Sequence, residues 1–157
     1  MKEECGVFGI FCRDIEASKQ IYFGLFALQH RGQESAGITV SDGFGMSSYK
    51  NVGLVNQVFQ SDYELSNLRG HIGIGHVRYS TTGSSNLSNA QPLVATRRRD
   101  SKQMEIDFPG KGPYYNPNAV LAIAHNGNLL NANKLREKLE KRGYKFQTTS
   151  DTEVIMY

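Results

Sequence analysis

The stretch Cys5–Ile10 (CGVFGI) decides the fold, because a cysteine stands at the start of an apolar run that predicts a strand. The run continues through Phe11 with almost no polar face, so we expect the strand to be buried on both sides. A short polar leader, Met1–Glu4 (MKEE), precedes the cysteine. The cysteine is therefore either a small buried hydrophobe near a chain end or a nucleophile that becomes the first residue of a cut chain.

Length and composition predict one globular domain and exclude several classes of partner. The chain has 157 residues, enough to bury a core, and its formal net charge of +3 is too small to indicate a nucleic-acid partner. No apolar run approaches the roughly 18 residues that a membrane span needs, and the terminus has no apolar signal region. Two cysteines, Cys5 and Cys12, give no disulfide framework, which favours a reducing, cytoplasmic setting.

The periodicity of apolar residues predicts a mixed α+β chain with substantial antiparallel pairing. Helical spacing occurs over 18–29, in short pieces over 54–68, and from Asn131 or Asn133 to Gly143. Strands are predicted over 36–40, 46–50, 72–78, 92–96 and 119–124.

Three segments carry more specific expectations. Residues 100–118 contain three of the four prolines and no helical period, so they predict a long surface loop, and we assign no function to 97–118. Residues 145–147 predict a short strand. Ser150 and Glu153 have capping-box spacing and announce a helix that stops at Tyr157, so we expect a domain that is incomplete at its C-terminus.

Polar side chains with complementary chemistry stand at the ends of these elements. Cys5 begins one predicted strand, Arg78 ends another, Asn126 and Gly127 follow a third, and Asp151 opens a helix. A thiol, an amide beside a backbone N–H, a cation and a carboxylate suit acyl transfer on a zwitterionic substrate. Spacing alone also allows four separate structural roles. No metal-binding motif accompanies them, and no nucleotide-binding loop is present.

Five motifs in sequence identify a resemblance that spans nearly the whole chain. They are CGVFGI at 5–10, QHRGQESAG at 29–37, GHVRYST at 75–81, HNGNL at 125–129 and TSDTE at 149–153. Together they resemble the class II glutamine amidotransferases. This resemblance implies an N-terminal-nucleophile hydrolase fold, an αββα sandwich of two antiparallel sheets between helices.

The resemblance also implies how Cys5 works. Residues 1–4 would be a propeptide, and 5–157 would be the glutaminase domain. Removing the propeptide would free the α-amine of Cys5, which has a pKa near 7.7–8.0 in model compounds and can serve as a general base. The thiol of Cys5 would then attack the side-chain amide of glutamine.

The same resemblance assigns roles to five further residues. The side chain of Asn126 and the N–H of Gly127 would form the oxyanion hole. Arg78 would bind the α-carboxylate of glutamine, and Asp151 would bind its α-ammonium group. Arg31 would support the pocket.

The motifs QHRGQESAG and HVRYST favour members that join this domain to a phosphoribosyltransferase domain, which uses the ammonia and phosphoribosyl pyrophosphate to make phosphoribosylamine in de novo purine synthesis. Nothing like that second domain occurs in the chain. We therefore expect no cofactor here, Mg²⁺ with the second domain, an iron–sulfur cluster in some full-length members, and a homo-oligomeric parent. Two alternatives stay open: an inactive glutamine-binding or regulatory fragment, and the glutaminase domain of another member such as glucosamine-6-phosphate synthase.

Overall fold

The computed structural model describes residues 5–79, 86–97, 103–108, 110 and 112–157. The expected propeptide 1–4 and the end of the GHVRYST motif lie outside the described residues. The strands are β1 Gly6–Phe11, β2 Ser35–Ser41, β3 Met46–Val52, β4 Ile72–Arg78, β5 Leu93–Arg97, β6 Met104–Asp107, β7 Tyr114–Asn116 and β8 Ala119–Ile123. The helices are α1 Ala17–Ala27, α2 Val55–Val58, α3 Asp62–Ser66, α4 Ala132–Lys141 and α5 Asp151–Met156.

These strands form two sheets. The larger sheet has the order β1-β4-β2-β3-β7, and the smaller has the order β6-β5-β8. Every strand pair among the described residues is antiparallel. The predicted class, α+β with two antiparallel sheets and helices, is confirmed.

Helix α1 covers one face of the larger sheet. Its side chains Ile21 and Leu25 are fully buried and pack with Ile38 of β2 in the main apolar cluster. Strand β4 approaches the helix closely at Gly75, where an added Cβ would lie 2.3 Å from Cγ2 of Ile21. A larger residue at this position would therefore push helix and sheet apart.

The two sheets face each other across a layer that is unusually polar. Lys50 of β3 and His76 of β4 are buried there, and the hydroxyls of Thr39 and Ser48 bond to each other at 2.8 Å. Nζ of Lys50 crosses the layer and donates to the carbonyl oxygens of the segment that leads into β5. Because buried polar groups need partners, this layer ties the sheets together by specific contacts rather than by apolar packing alone.

Helix α5 covers the outer face of the smaller sheet. Met156 packs with Leu93 and Ala95 of β5 and with Ile106 of β6 in a second apolar cluster. Helix α4 lies against α5. The layers therefore follow the order helix, sheet, sheet, helix.

Strand β1 corrects one expectation. It lies at an edge of the larger sheet, and its burial alternates along the strand. Phe8 and Ile10 pack into the main cluster, whereas Val7 is 38% and Phe11 is 59% exposed. An apolar composition thus did not mean burial on both faces, because β1 is an edge strand and the side chains of its second face keep much of their surface exposed.

The expected loop over 100–118 is wrong where the structure describes it. Strand β6 pairs with β5, and β7 pairs with β3 of the other sheet. The carboxylate of Asp107 accepts bonds from the hydroxyl of Thr96 (2.9 Å) and from the amide of Asn116. Polar side chains inside these short strands removed the apolar alternation that would have indicated them.

The region before α5 departs from expectation in two ways. Residues 145–147 form no strand; instead the side chain of Gln147 accepts a bond from the N–H of Ile106 at 2.7 Å. Helix α5 begins as predicted, with Ser150 capping the N–H of Thr152 at 3.2 Å. The capping box is wrong, because the buried carboxylate of Glu153 accepts instead from the N–H groups of Gln147 and Thr148 at 2.8 and 2.6 Å.

Candidate active site

The thiol of Cys5 lies at the mouth of the larger sheet and not in an apolar interior. Pairing of β1 with β4 brings Cys5 beside Tyr79, which directly follows β4. Sγ lies 3.3 Å from the carbonyl oxygen of Tyr79 and 3.4 Å from its N–H nitrogen, so it can both donate and accept. Cys5 is half-buried and free, and is therefore reachable by a ligand.

The backbone carbonyl group of Cys5 accepts hydrogen bonds from two of the other predicted site residues. Its oxygen accepts a bond from Nδ2 of Asn126 at 2.6 Å and from Nε of Arg31 at 3.2 Å. Asn126 is 121 residues away along the chain, so the fold alone creates this contact. Gly127 follows Asn126 in the same exposed turn after β8.

Asp151 stands at the start of α5 and fixes the far side of this turn. One carboxylate oxygen, Oδ2, accepts from the N–H of Leu129 at 2.7 Å. The other, Oδ1, lies 3.9 Å from Nδ1 of His125, too far for a hydrogen bond. The helix start and the turn that carries Asn126 therefore form one unit.

Arg78 ends β4, directly before Tyr79. Its Nη1 donates to Oε2 of Glu34 at 3.0 Å, and the N–H of Glu34 donates to the carbonyl oxygen of Arg78 at the same distance. Both side chains keep about a fifth of their surface exposed, 19% and 21%. The sequence motifs did not single out Glu34 as a contact of the site, although the register of β2 with β4, Ser35 opposite Arg78, would have indicated it.

The structure therefore links Cys5, Arg31 and Asn126 by direct hydrogen bonds, and the contact of Asp151 with Leu129 ties α5 to the turn that carries Asn126 and Gly127. Arg78 ends the strand that leads to Tyr79, whose backbone contacts the sulfur of Cys5. The thiol is held by β4, the amide by the turn after β8, the cation by the end of β4 and the carboxylate by α5. Such a group offers a nucleophile, oxyanion donors and opposite charges for a zwitterion.

Two titratable groups lie buried between the sheets behind this site. Desolvation lowers the pKa of Lys50 to about 7. Desolvation, with smaller effects from neighbouring charges including Arg78, lowers the pKa of His76 to about 4, and the backbone of His125 opposes that shift. Neither ring nitrogen of His76 has a hydrogen bond of ordinary geometry among the described residues. His76 is therefore neutral at pH 7.

Within the described part of the chain, no group of three or more His, Cys, Asp or Glu side chains is arranged to hold a metal ion. No helix in that same part is long and apolar enough to cross a membrane.

Comparison with known proteins places this geometry in a family. A model of the glutamine amidotransferase domain matches residues 101–157. The amidophosphoribosyltransferase of Methanocaldococcus jannaschii is 48% identical over 152 residues, which are 96% of this chain and 28% of that protein. The enzyme of the same name from Bacillus subtilis is 45% identical over 157 residues, 100% of this chain and 29% of its own length. The comparisons support a glutamine amidotransferase domain in this chain.

Solved structures agree with this family. The allosteric regulatory enzyme of purine biosynthesis superimposes with a TM-score of 0.77 at 45% identity, covering 96% of this chain and 28% of that one. The B. subtilis glutamine phosphoribosylpyrophosphate amidotransferase, complexed with ADP and GMP, gives 0.75 at 43% identity, with the same coverage of both chains. The chain spans less than a third of the length of these relatives. Family and fold are confirmed as the sequence motifs predicted.

Proposed function

We propose that this chain hydrolyses glutamine to glutamate and ammonia through a thioester on Cys5. One observation supports this proposal above the others: Nδ2 of Asn126 lies 2.6 Å from the carbonyl oxygen of Cys5, so an amide donor contacts the backbone of the residue that carries a half-buried, free thiol. An amide bond is the type of substrate that a thiol beside oxyanion donors attacks.

The first step we propose is removal of residues 1–4. While Glu4 is attached, the nitrogen of Cys5 is an amide and cannot accept a proton. Once freed, it is an amine whose ordinary pKa of about 7.7–8.0 suits a base near neutral pH. It takes the thiol proton, and the sulfur becomes the nucleophile.

The thiolate then attacks the side-chain carbonyl carbon of glutamine, and a tetrahedral oxyanion forms. Asn126 can stabilise that oxyanion while still bonded to Cys5, because its Nδ2 carries two hydrogens. The N–H of Gly127 supplies the second donor. The carbon–nitrogen bond breaks, and the leaving nitrogen takes the proton back from the α-amine and departs as ammonia. Water, deprotonated by the same amine, cleaves the thioester and releases glutamate.

Substrate recognition in this proposal uses the two opposite charges of the site. Arg78 binds the α-carboxylate, since a guanidinium can bind a carboxylate through two parallel hydrogen bonds. Its contact with Glu34 uses Nη1 and holds the guanidinium in place. Asp151 accepts the α-ammonium, and Arg31 fixes the carbonyl of Cys5 and thereby the backbone that carries the nucleophile.

We further propose that the ammonia serves a phosphoribosyltransferase domain in a longer parent protein, which forms phosphoribosylamine from phosphoribosyl pyrophosphate for purine synthesis. Support comes from the names of the relatives and from the fraction of their length that this chain covers. In this proposal Mg²⁺, any iron–sulfur cluster and the contacts of a homo-oligomer belong to that longer protein. Two free cysteines, Cys5 and Cys12, favour a reducing compartment such as the cytoplasm.

The test is glutaminase activity in the native polypeptide that contains this chain. Mass spectrometry first establishes whether Cys5 is the first residue, and an assay then measures glutamate and ammonia. We expect turnover from the processed protein and none from Cys5→Ala. A variant in which residues 1–4 are made uncleavable should also be inactive.

A matched control is Cys12→Ala, which removes the other free cysteine from a buried position away from the site. It should keep its activity. Equal ammonia release from Cys5→Ala would refute the mechanism. Glutamine binding without turnover in the processed protein would favour the alternative of a regulatory module.

A further inference from the structure

Gln91 is a buried amide that the mechanism does not yet use. It lies between the two sheets, directly before Pro92 and β5, and is only 6% exposed. The motifs that identified the family do not include it.

Both ends of the Gln91 side chain are engaged, each with a different part of the chain. Oε1 accepts a bond from the N–H of His125 at 2.7 Å. Nε2 donates to the hydroxyl oxygen of Thr152 at 3.0 Å. Because the site is buried, water does not compete for these groups, and breaking either bond would leave an unpaired polar atom.

These two partners are neighbours of the residues that act on the substrate. His125 directly precedes Asn126, which we propose as an oxyanion donor, and Thr152 directly follows Asp151, which we propose to bind the α-ammonium. A single side chain of Gln91 therefore spans the two ends of the substrate site. Its length fixes how far apart those ends are.

Gln91 is itself held rigidly by the larger sheet. Nζ of Lys50 donates to the carbonyl oxygens of Ala90 (2.6 Å) and Pro92 (3.0 Å), one on each side of Gln91. The carbonyl oxygen of Gln91 fills the space beside Gly37, where an added Cβ would lie only 2.3 Å away. The backbone around Gln91 is thus held against the larger sheet, and its side chain reaches the turn after β8 and helix α5.

We propose that Gln91 is a positioning residue for glutamine hydrolysis, which sets the separation between the oxyanion donors and the carboxylate that binds the α-ammonium group. The inference rests on the proposed function and deepens it. In this proposal one buried side chain sets the distance between the group that binds the amide end of glutamine and the group that binds its amino end.

The test compares glutamine with glutaramate, the analogue that has the same amide but lacks the α-amino group. In the native polypeptide we expect the kcat/KM preference for glutamine to fall at least about 10-fold in Gln91→Met, since a displacement of about 1 Å can cost about 10²-fold in rate. With glutamine alone, kcat should fall and KM should rise together. Thr152→Val, which keeps the bond to His125, should lose part of the preference, and Thr152→Ser should restore it.

Asn89→Leu is the matched control. Asn89 is a buried amide two residues earlier that bonds with the side chain and the N–H of Thr149, at 2.8 and 3.2 Å, and not with the turn at His125. The Asn89→Leu variant should be less stable, but its kcat/KM preference for glutamine over glutaramate should stay within about 2-fold of that of the unsubstituted protein. The inference would be overturned if Gln91→Met lowered kcat/KM equally for glutamine and glutaramate. It would also be overturned if Asn89→Leu lost the preference for glutamine to the same extent.

If Gln91→Met does not fold, the variants Thr152→Val and Thr152→Ser test the inference by the same measurement, the kcat/KM preference for glutamine over glutaramate. Failure of the proposed function is seen separately, since the unsubstituted processed protein would then release no ammonia.

Discussion

Lys50 gives the sharpest test of the polar layer between the sheets. Burial lowers its pKa from 10.5 to about 7, so near neutral pH the folded chain holds a cation in a desolvated place. Its contacts with the carbonyls of Ala90 and Pro92 survive deprotonation, because a neutral amine still has two N–H groups. We therefore expect the chain to become more stable as the pH rises above 7.

The sign and the size follow from proton binding. Between pH 7 and about 10 the unfolded chain keeps the proton on Lys50, whereas the folded chain has lost it, so the free energy of unfolding increases with pH. At about 1.36 kcal/mol per pH unit, and with Lys50 half-titrated at pH 7, raising the pH to 9 should add about 2 kcal/mol. Well below pH 7 Lys50 is protonated in both the folded and the unfolded chain, so it adds no pH dependence to the free energy of unfolding there.

The assay is urea unfolding at pH 7, 8 and 9, followed by circular dichroism. Lys50→Met keeps the length of the side chain but cannot titrate, so its stability relative to the unsubstituted chain should fall by about 2 kcal/mol across this range. Lys19→Met, an exposed change on α1, is the control and should leave the pH dependence unchanged. Parallel pH curves for the Lys50 variant and the unsubstituted chain would refute the reasoning.

Three further predictions concern the proposed site and the packing of Gly37 against Gln91. Asn126→Ala should lower kcat by about 10²–10³-fold with little change in KM, as steady-state kinetics would measure, because it removes one oxyanion donor. Arg78→Lys should instead raise KM by at least about 10-fold, since an ammonium cannot bind a carboxylate through two parallel bonds; an unchanged KM would count against the proposed carboxylate site. Gly37→Ala should destabilise the chain by about 1–3 kcal/mol in urea unfolding, because its Cβ would lie 2.3 Å from the backbone oxygen of Gln91.

Much of the fold followed from local sequence signals. Strands were predicted over 36–40 and 46–50, where the structure has β2 and β3, and helical spacing predicted α1 to within two residues. The helical signal works because burial of one face fixes a period that neighbouring residues must obey, whereas β2 is buried on both faces. The family motifs supplied the layered arrangement, which no local pattern could.

The errors arose where side chains replaced backbone partners. Asp107 and Asn116 are polar residues inside strands β6 and β7, and their side chains bond to each other. A search for apolar alternation does not detect strands that contain such pairs. Glu153 had the right spacing for a capping box, but the N–H groups of Gln147 and Thr148 offered a buried carboxylate better partners than the helix start did. Spacing along the chain cannot reveal competition from a segment that only the fold brings close.

The same reasoning explains why Gln91 and Lys50 were invisible in the sequence. Each is an ordinary polar residue whose importance comes from partners 34 to 61 residues away. A catalytic motif is detectable because its chemistry restricts residue type, whereas a positioning residue is restricted by distance and burial. An interior tied by polar contacts has few alternative packings, since each displaced partner would leave a buried donor or acceptor unpaired. The polar layer therefore lowers the freedom of the site to deform, and this is why a change as small as Thr152→Val should alter substrate preference.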